Sequence, residues 1–210
     1  MRNYSVPILL LLALTALAGA QAPAAKTPVV FTEKDRETAL KYLNDTKADF
    51  IKEVSGLSDA QLNFRAAPGR WTIAEVAEHI ILSEGLIFDR ITNAGMKSTP
   101  LEGKDNYRVR DVGVMLAITN RAQKFQAPEV LRPASRFKTR EELLTNFEKA
   151  RNTSIEFMKN NKADMRNTFM ENPMMGMIDN YQWFLFMNGH ADRHLAQLKE
   201  VKTDPAYPKK

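Results

Sequence analysis

The stretch DNYQWFLFMNGHADRHLAQLKEVK, residues 179–202, reads as one long helix with its own start and stop. Asp179 is a strong N-cap residue, and Pro205 stands just past the end, where a helix cannot continue. Trp183, Phe186, Met187, His190, His194, Gln197, Leu198 and Val201 recur at helical spacing and form one inner stripe. The two histidines in that stripe are four residues apart, so they sit one above the other on the apolar face.

Upstream, three more stretches carry the same period. The first runs from about Thr32 to Ser55, with Leu40, Leu43, Phe50, Ile51 and Val54 on one face; a short turn follows, capped by Ser58 or Asp59. The second opens on the capping box Thr72–Glu75 and runs to about Asn93, with Val76, Ile80, Ser83, Leu86 or Ile87, and Ile91 inward. The third opens on the capping box Thr139–Glu142 and runs to about Asn160, with Leu143, Leu144, Phe147, Ala150 and Met158 on its stripe. Between the second and third lies an irregular excursion, Ala94 to Lys138, holding Pro100, Pro128 and Pro133. A lesser helix is expected inside it over Asp111 to Phe125, with Val112, Met115 and Leu116 as its apolar residues. Long connections of this kind often shape a binding mouth. No strand-like alternation and no internal repeat stand out. The pattern predicts an all-α four-helix bundle with a long connection between the second and third helices.

Composition supports one ordinary domain. The chain has 210 residues, of which 44% are hydrophobic and 26% charged, a balance that fits neither a disordered chain nor a multi-span membrane protein. The absence of cysteine excludes disulfides, thiolate metal sites, cysteine nucleophiles and Fe–S clusters together. Residues 1–20 read as a secretory signal: Arg2 supplies a positive start, Ile8 to Ala18 is apolar apart from Thr15, and Ala18-Gly19-Ala20 is a small-x-small cleavage site. The apolar run is too short for a comfortable membrane span, and no cysteine follows it to carry a lipid, so no stable membrane anchor is expected. The expected organisation is a signal peptide (1–20), a flexible leader (21–31), the bundle (32–204) and a C-terminal tail (205–210), in a protein that is periplasmic or secreted. The formal charge of +5 falls to +4 without the signal, and its basic residues are scattered among acids rather than gathered into a nucleic-acid-binding stripe.

The chain has only three histidines, His79, His190 and His194. His79 falls on the inner face of the second long helix, between Val76 and Ser83, so all three imidazoles are expected to point into one bundle. Each buried imidazole needs a partner, because leaving one unsatisfied costs on the order of 1–3 kcal/mol. A shared divalent ion satisfies all three. Three neutral ligands leave the ion its full charge and an open position, where water or a substrate group is activated. Zinc suits this donor set best, with nickel as the next candidate and iron and copper as further alternatives.

Trp71-Thr-Ile-Ala-Glu75-Val-Ala-Glu-His79-Ile80 and Gly189-His190-Ala-Asp-Arg193-His194-Leu-Ala-Gln197-Leu198 resemble the paired signatures of the DinB/YfiT-like superfamily, and Ala127 to Pro133 with the following Thr139-Arg-Glu-Glu-Leu-Leu is similar to its middle section. The likeness covers most of residues 33–202. It implies an up-down-down-up bundle, a divalent metal held by His79, His190 and His194, and a small-molecule substrate. Characterised members include transferases and isomerases that use low-molecular-weight thiols, and members often form homodimers. The function expected is therefore an exported hydrolase or thiol-dependent transferase, with a non-catalytic metal- or small-ligand-binding bundle as the alternative.

Three further side chains are candidates for catalysis. Glu75, one turn before His79, can act as a base or serve only as the capping-box partner. Arg193, beside His194, can hold an anionic substrate group or form an ordinary salt bridge. Gln197, three residues past His194, can hydrogen-bond a ligand or fill space. Trp71 and Trp183 read as packing residues, and the methionines 170, 174, 175 and 177 as flexible core filler rather than copper ligands.

Overall fold

The structure, a computed structural model, describes residues 29–98 and 110–209. The expected signal, most of the leader, the part of the excursion around Pro100 and the last residue of the tail lie outside these. Four long helices dominate: α1 (Glu33–Val54), α3 (Ile73–Asp89), α5 (Arg140–Asn160) and α6 (Asn180–Lys202), with short α2 (Asp59–Leu62) and α4 (Asp111–Thr119) between them. Five of these helices begin with a reciprocal capping box, from Thr32, Ser58, Thr72, Thr139 and Asp179. Each box satisfies backbone N–H groups that the first turn leaves orphaned, and losing such a cap costs about 1 kcal/mol. Beyond Asp89, α3 continues as one wide turn of π-helix, Arg90–Ala94.

The four long helices form a ring in which α1 and α3 are diagonal, each packing against both α5 and α6. Side-chain contacts give the directions. Tyr42 donates to Asp192 and Lys202 to Glu53, so α1 and α6 run parallel. His79 meets His190 while Met96 meets Asn180, so α3 and α6 are antiparallel. Lys47 donates to Asn152 and Arg140 to the Leu57 carbonyl, so α1 and α5 are antiparallel. The bundle is thus up-down-down-up, and the two parallel neighbours α3 and α5 require the long excursion that joins them. Among the described residues, no helix is long and apolar enough to cross a membrane.

Three sequence expectations need correction. A short antiparallel hairpin, β1 (Phe169–Asn172) with β2 (Gly176–Asp179), occupies a stretch where no strand was expected. Its strands are only four residues long, too short to show a period, and the turn at residues 173–175 that joins them leads into Gly176, the first residue of β2, at φ +69°. The lesser helix ends at Thr119 rather than Phe125, and it buries Val114 and Ile118 while Val112 and Leu116 face outward. The inner stripe of the last helix is too narrow a description. From Asn180 to Gly189 every residue is buried, because α4 covers the side of α6 that the ring leaves open. On α3, Ile87 takes the buried place and Leu86 is exposed.

Two apolar clusters fill the interior. One gathers around Phe184, Met187 and Ile118; the other is centred on the stacked rings of Phe50 and Phe147, 3.7 Å apart. A charged group also lies in the bundle. Arg151, fully buried on α5, grips Glu84 of α3 through Nε at 2.7 Å and Nη2 at 2.6 Å, and also donates to the Leu43 carbonyl, Thr46 and Asn188. Periodicity gave no sign of it, since the expected stripe passed one residue away, at Ala150.

Candidate metal centre

His79 sits in the middle of α3, and His190 and His194 lie one turn apart on the antiparallel α6. The crossing of the two helices brings all three imidazoles together. One nitrogen from each lies within 4.8 Å of the other two. His79 Nε2 is 3.3 Å from His190 Nε2. His79 and His194 approach edge to face, with ring centroids 4.6 Å apart.

The outward-facing nitrogens explain which atoms turn inward. The His79 Nδ1–H donates to the Leu131 carbonyl at 2.8 Å, leaving Nε2 as its lone-pair nitrogen. His194 Nδ1 meets Gln197 Oε1 at 2.9 Å, one turn along the same helix, and is fixed in the same sense. Tetrahedral coordination with metal–nitrogen bonds of 2.0–2.1 Å places ligand nitrogens about 3.3 Å apart, which the His79–His190 separation meets. Metal-bound histidines characteristically donate their second nitrogen to a carbonyl or carboxylate, as His79 does here. The donor set therefore fits one divalent cation.

Electrostatics keep the donors neutral. Burial lowers the pKa of His79, against the opposing hydrogen bond to Leu131. Burial, and then the neighbouring His194 and His79, push His190 well below the ordinary imidazole range. His194 is lowered to about 3, first by burial and then by His79, with the Gln197 hydrogen bond opposing. Neutral imidazole is the form that binds metal.

The surroundings are apolar on two sides. The ring centroid of Trp71 lies 5.0 Å from that of His79, and Phe186 is 6.4 Å from His190. The buried hydroxyl of Ser83, one turn after His79, is 3.5 Å from His79 Nε2. Its spacing placed Ser83 on the right face, but nothing in the sequence marks the Leu131 carbonyl, which is a backbone atom brought in from the excursion.

The other candidates separate clearly. Gln197 lies against the imidazole cluster, its Oε1 on His194 Nδ1. Glu75 does not: its carboxylate accepts from the Thr72 backbone at 2.8 Å and pairs with Arg65 at 2.8 Å. Arg193 is buried, and its hydrogen bonds go to backbone carbonyls rather than to an acid. It donates to the Ile118, Asn120 and Gln123 carbonyls, where the C-terminus of α4 presents unpaired acceptors and a negative helix dipole. The methionines behave as filler, with Met170 buried in the core and Met174 and Met175 packed against it.

Comparison with known proteins places this arrangement. YuaE, an uncharacterized protein of Bacillus subtilis (strain 168), is 25% identical over 167 residues, covering 78% of this chain and 96% of YuaE. The structure of Bacillus subtilis YfiT, described as "a probable metal-dependent hydrolase with an unusual four-helix bundle topology", superposes with a TM-score of 0.54 at 13% identity, covering 85% of this chain and 91% of YfiT. The family model of the DinB superfamily matches residues 42–198, a span that contains all four long helices in large part and all three histidines. The chain belongs to the DinB superfamily.

Proposed function

We propose that this protein is an exported metalloenzyme that binds one divalent ion through His79, His190 and His194 and hydrolyses a small-molecule substrate. The observation that carries the reading is the convergence of three neutral imidazoles, two of them with their second nitrogen tied back. The description of YfiT as "a probable metal-dependent hydrolase" points the same way. Zinc is the ion proposed, with nickel second. Export rests on the apolar run Ile8 to Ala18 and the Ala18-Gly19-Ala20 site.

A divalent ion at this site supplies Lewis acidity, which acidifies water and polarises a carbonyl or phosphoryl oxygen. The chain's own residues do the rest. The Leu131 carbonyl and Gln197 hold His79 and His194 with Nε2 inward. Trp71 and Phe186 wall the centre with apolar surface, which strengthens electrostatic interactions there. The Ser83 hydroxyl stands beside His79 Nε2, where it can accept or donate a proton at the edge of the site. Transfer of a small thiol is the variant of the same chemistry.

A second reading has its own support. The two carboxylates nearest His79 in sequence, Glu75 and Glu78, are both committed to other partners, so neither is placed as a general base. That favours a non-catalytic bundle that holds a metal or small ligand.

Elemental analysis of the purified protein beside His190→Ala tests the proposal. About one zinc or nickel per chain, lost in the variant, together with turnover in a screen of ester, amide and thiol-transfer substrates that His79→Ala abolishes, is the expected result. Metal binding without turnover favours the binding module. No metal in either protein, and no uptake on reconstitution, overturns both.

A further inference from the structure

The carboxylate of Glu78 is 2% exposed and lies one residue before His79, yet it takes no part in the cluster of imidazoles. It faces the end of the excursion instead. Oε1 accepts the Ala134 backbone N–H at 2.9 Å and Arg136 Nη1 at 2.8 Å, and Oε2 accepts the Arg136 backbone N–H at 3.2 Å. Ser135, between those two N–H groups, has φ +55°. A serine holds that left-handed conformation only when its surroundings impose it. Here the imposing group is the carboxylate, because two N–H groups converging on one anion make a backbone nest.

The same short segment supplies the Leu131 carbonyl that accepts from His79 Nδ1. Two consecutive residues of α3 therefore grip one loop at two places, Glu78 at residues 134–136 and His79 at residue 131. The 3₁₀ turn Glu129–Leu131, which ends at the first grip, has only Leu131 buried, while Val130 and the following Arg132 are exposed. Beyond these grips and the burial of Leu131, the segment is tied to itself, by Arg132 Nε to the Ala127 carbonyl at 3.2 Å and by Arg136 Nη1, itself held by Glu78, to the Arg132 carbonyl at 2.9 Å.

We propose that Glu78 is a positioning residue of the metal centre: by clasping the strained Ala134–Arg136 turn it holds the Leu131 carbonyl on His79 and so fixes the imidazole with Nε2 inward. The consequence for metal affinity rests on the function proposed above; the effect on the His79 tautomer does not. Outer-shell partners of this kind commonly change metal affinity by about 10–100-fold when removed.

The test uses the full folded protein. Long-range ¹H–¹⁵N correlation spectra of the metal-free protein report the His79 tautomer. Wild type is expected to show a single Nδ1–H form with a slowly exchanging proton. Glu78→Gln replaces one acceptor oxygen by an amide donor that opposes a backbone N–H, and is expected to lose that signature. Its zinc affinity, measured by chelator competition, is expected to fall about 10–100-fold. Ser135→Gly relaxes the turn that Glu78 must hold, so Glu78→Gln/Ser135→Gly recovers most of both readouts. A purely structural role for Glu78 predicts no such rescue. If Glu78→Gln fails to fold, Glu78→Asp retains the charge but withdraws it by one methylene, and the same spectral loss is expected.

A folded Glu78→Gln or Glu78→Asp protein with the wild-type His79 signature overturns the proposal, as does an absence of rescue by Ser135→Gly. If His79 responds as expected but the wild-type protein takes up no zinc, the clasp stands and the metal-dependent function falls.

Discussion

Gly189, the residue before His190, lies directly beneath Ile118 of α4: a Cβ placed on Gly189 would stand 2.3 Å from Ile118 Cγ2. The close approach of α4 to α6 therefore depends on the missing side chain. Gly189→Ala is expected to push α4 outward and destabilise the protein by about 1–3 kcal/mol, as overpacking of a filled site does. Urea unfolding checks it; an unchanged midpoint would mean that Ile118 yields freely.

Arg193, one turn further along α6, fastens the C-terminal end of α4, where Ile118 lies. Its guanidinium reaches three carbonyls, a geometry that the single ammonium of lysine cannot reproduce. Arg193→Lys is expected to retain metal binding while chymotrypsin cuts faster at Phe125, which is already exposed and lies under the Arg193 guanidinium. Loss of metal with no change in proteolysis would assign Arg193 to the metal site instead.

The buried Arg151–Glu84 pair is expected to be costly to break and cheap to replace. Arg151→Met leaves an uncompensated carboxylate in the core, and such losses run to about 3–5 kcal/mol. Arg151→Met combined with Glu84→Leu removes both charges and is expected to recover most of the stability. A thermal-denaturation double-mutant cycle measures this, and additive losses would contradict it.

The imidazoles predict acid sensitivity of the metal-free protein. All three are lowered from the ordinary value of 6.5, so the unfolded chain binds more protons below that pH. Their stabilising effect is complete above pH 6.5 and is lost as pH falls toward the folded value of His194, about 3. His190→Ala is expected to flatten that slope in unfolding curves taken from pH 7 to pH 4. An identical slope would show that the cluster is not the acid-sensitive element.

Asp179 acts in the opposite direction. Burial raises its pKa from 3.8 to about 6, against the attraction of Arg166. A raised value favours the protonated form in the folded state, so this contribution is present below pH 3.8 and is lost as pH rises through 6. The loss amounts to at most about 3 kcal/mol at 1.36 kcal/mol per pH unit. Asp179→Asn keeps an N-cap residue and cannot ionise. Its stability relative to wild type is expected to improve between pH 4 and pH 7; a constant difference would refute the shift.

Much of this molecule was legible in one dimension. The capping boxes at Thr72 and Thr139 and the N-cap Asp179 mark where three long helices begin, because a side chain three residues from its partner closes the first turn locally. The 3.6-residue period shows which faces are apolar, and the His190–His194 spacing puts two ligands on one face. Ser83, four residues past His79, was on the right face for the same reason. The hairpin at residues 169–179 escaped because four-residue strands carry no readable period. The buried Arg151 escaped because its acceptor, Glu84, lies 67 positions earlier in the chain.

What the sequence alone determined is therefore local: where helices start, which stripe each turns inward, and that all three histidines belong to inward stripes. Tertiary structure decided the rest. The antiparallel crossing of α3 and α6 sets the 3.3 Å between His79 and His190, and the excursion brings the Leu131 carbonyl to His79 across 52 residues. The same packing made Arg193 a cap for α4 and took Glu75 out of the site. Neighbours within a turn are fixed by backbone geometry, whereas partners distant in sequence meet only where the packing of whole helices brings them together.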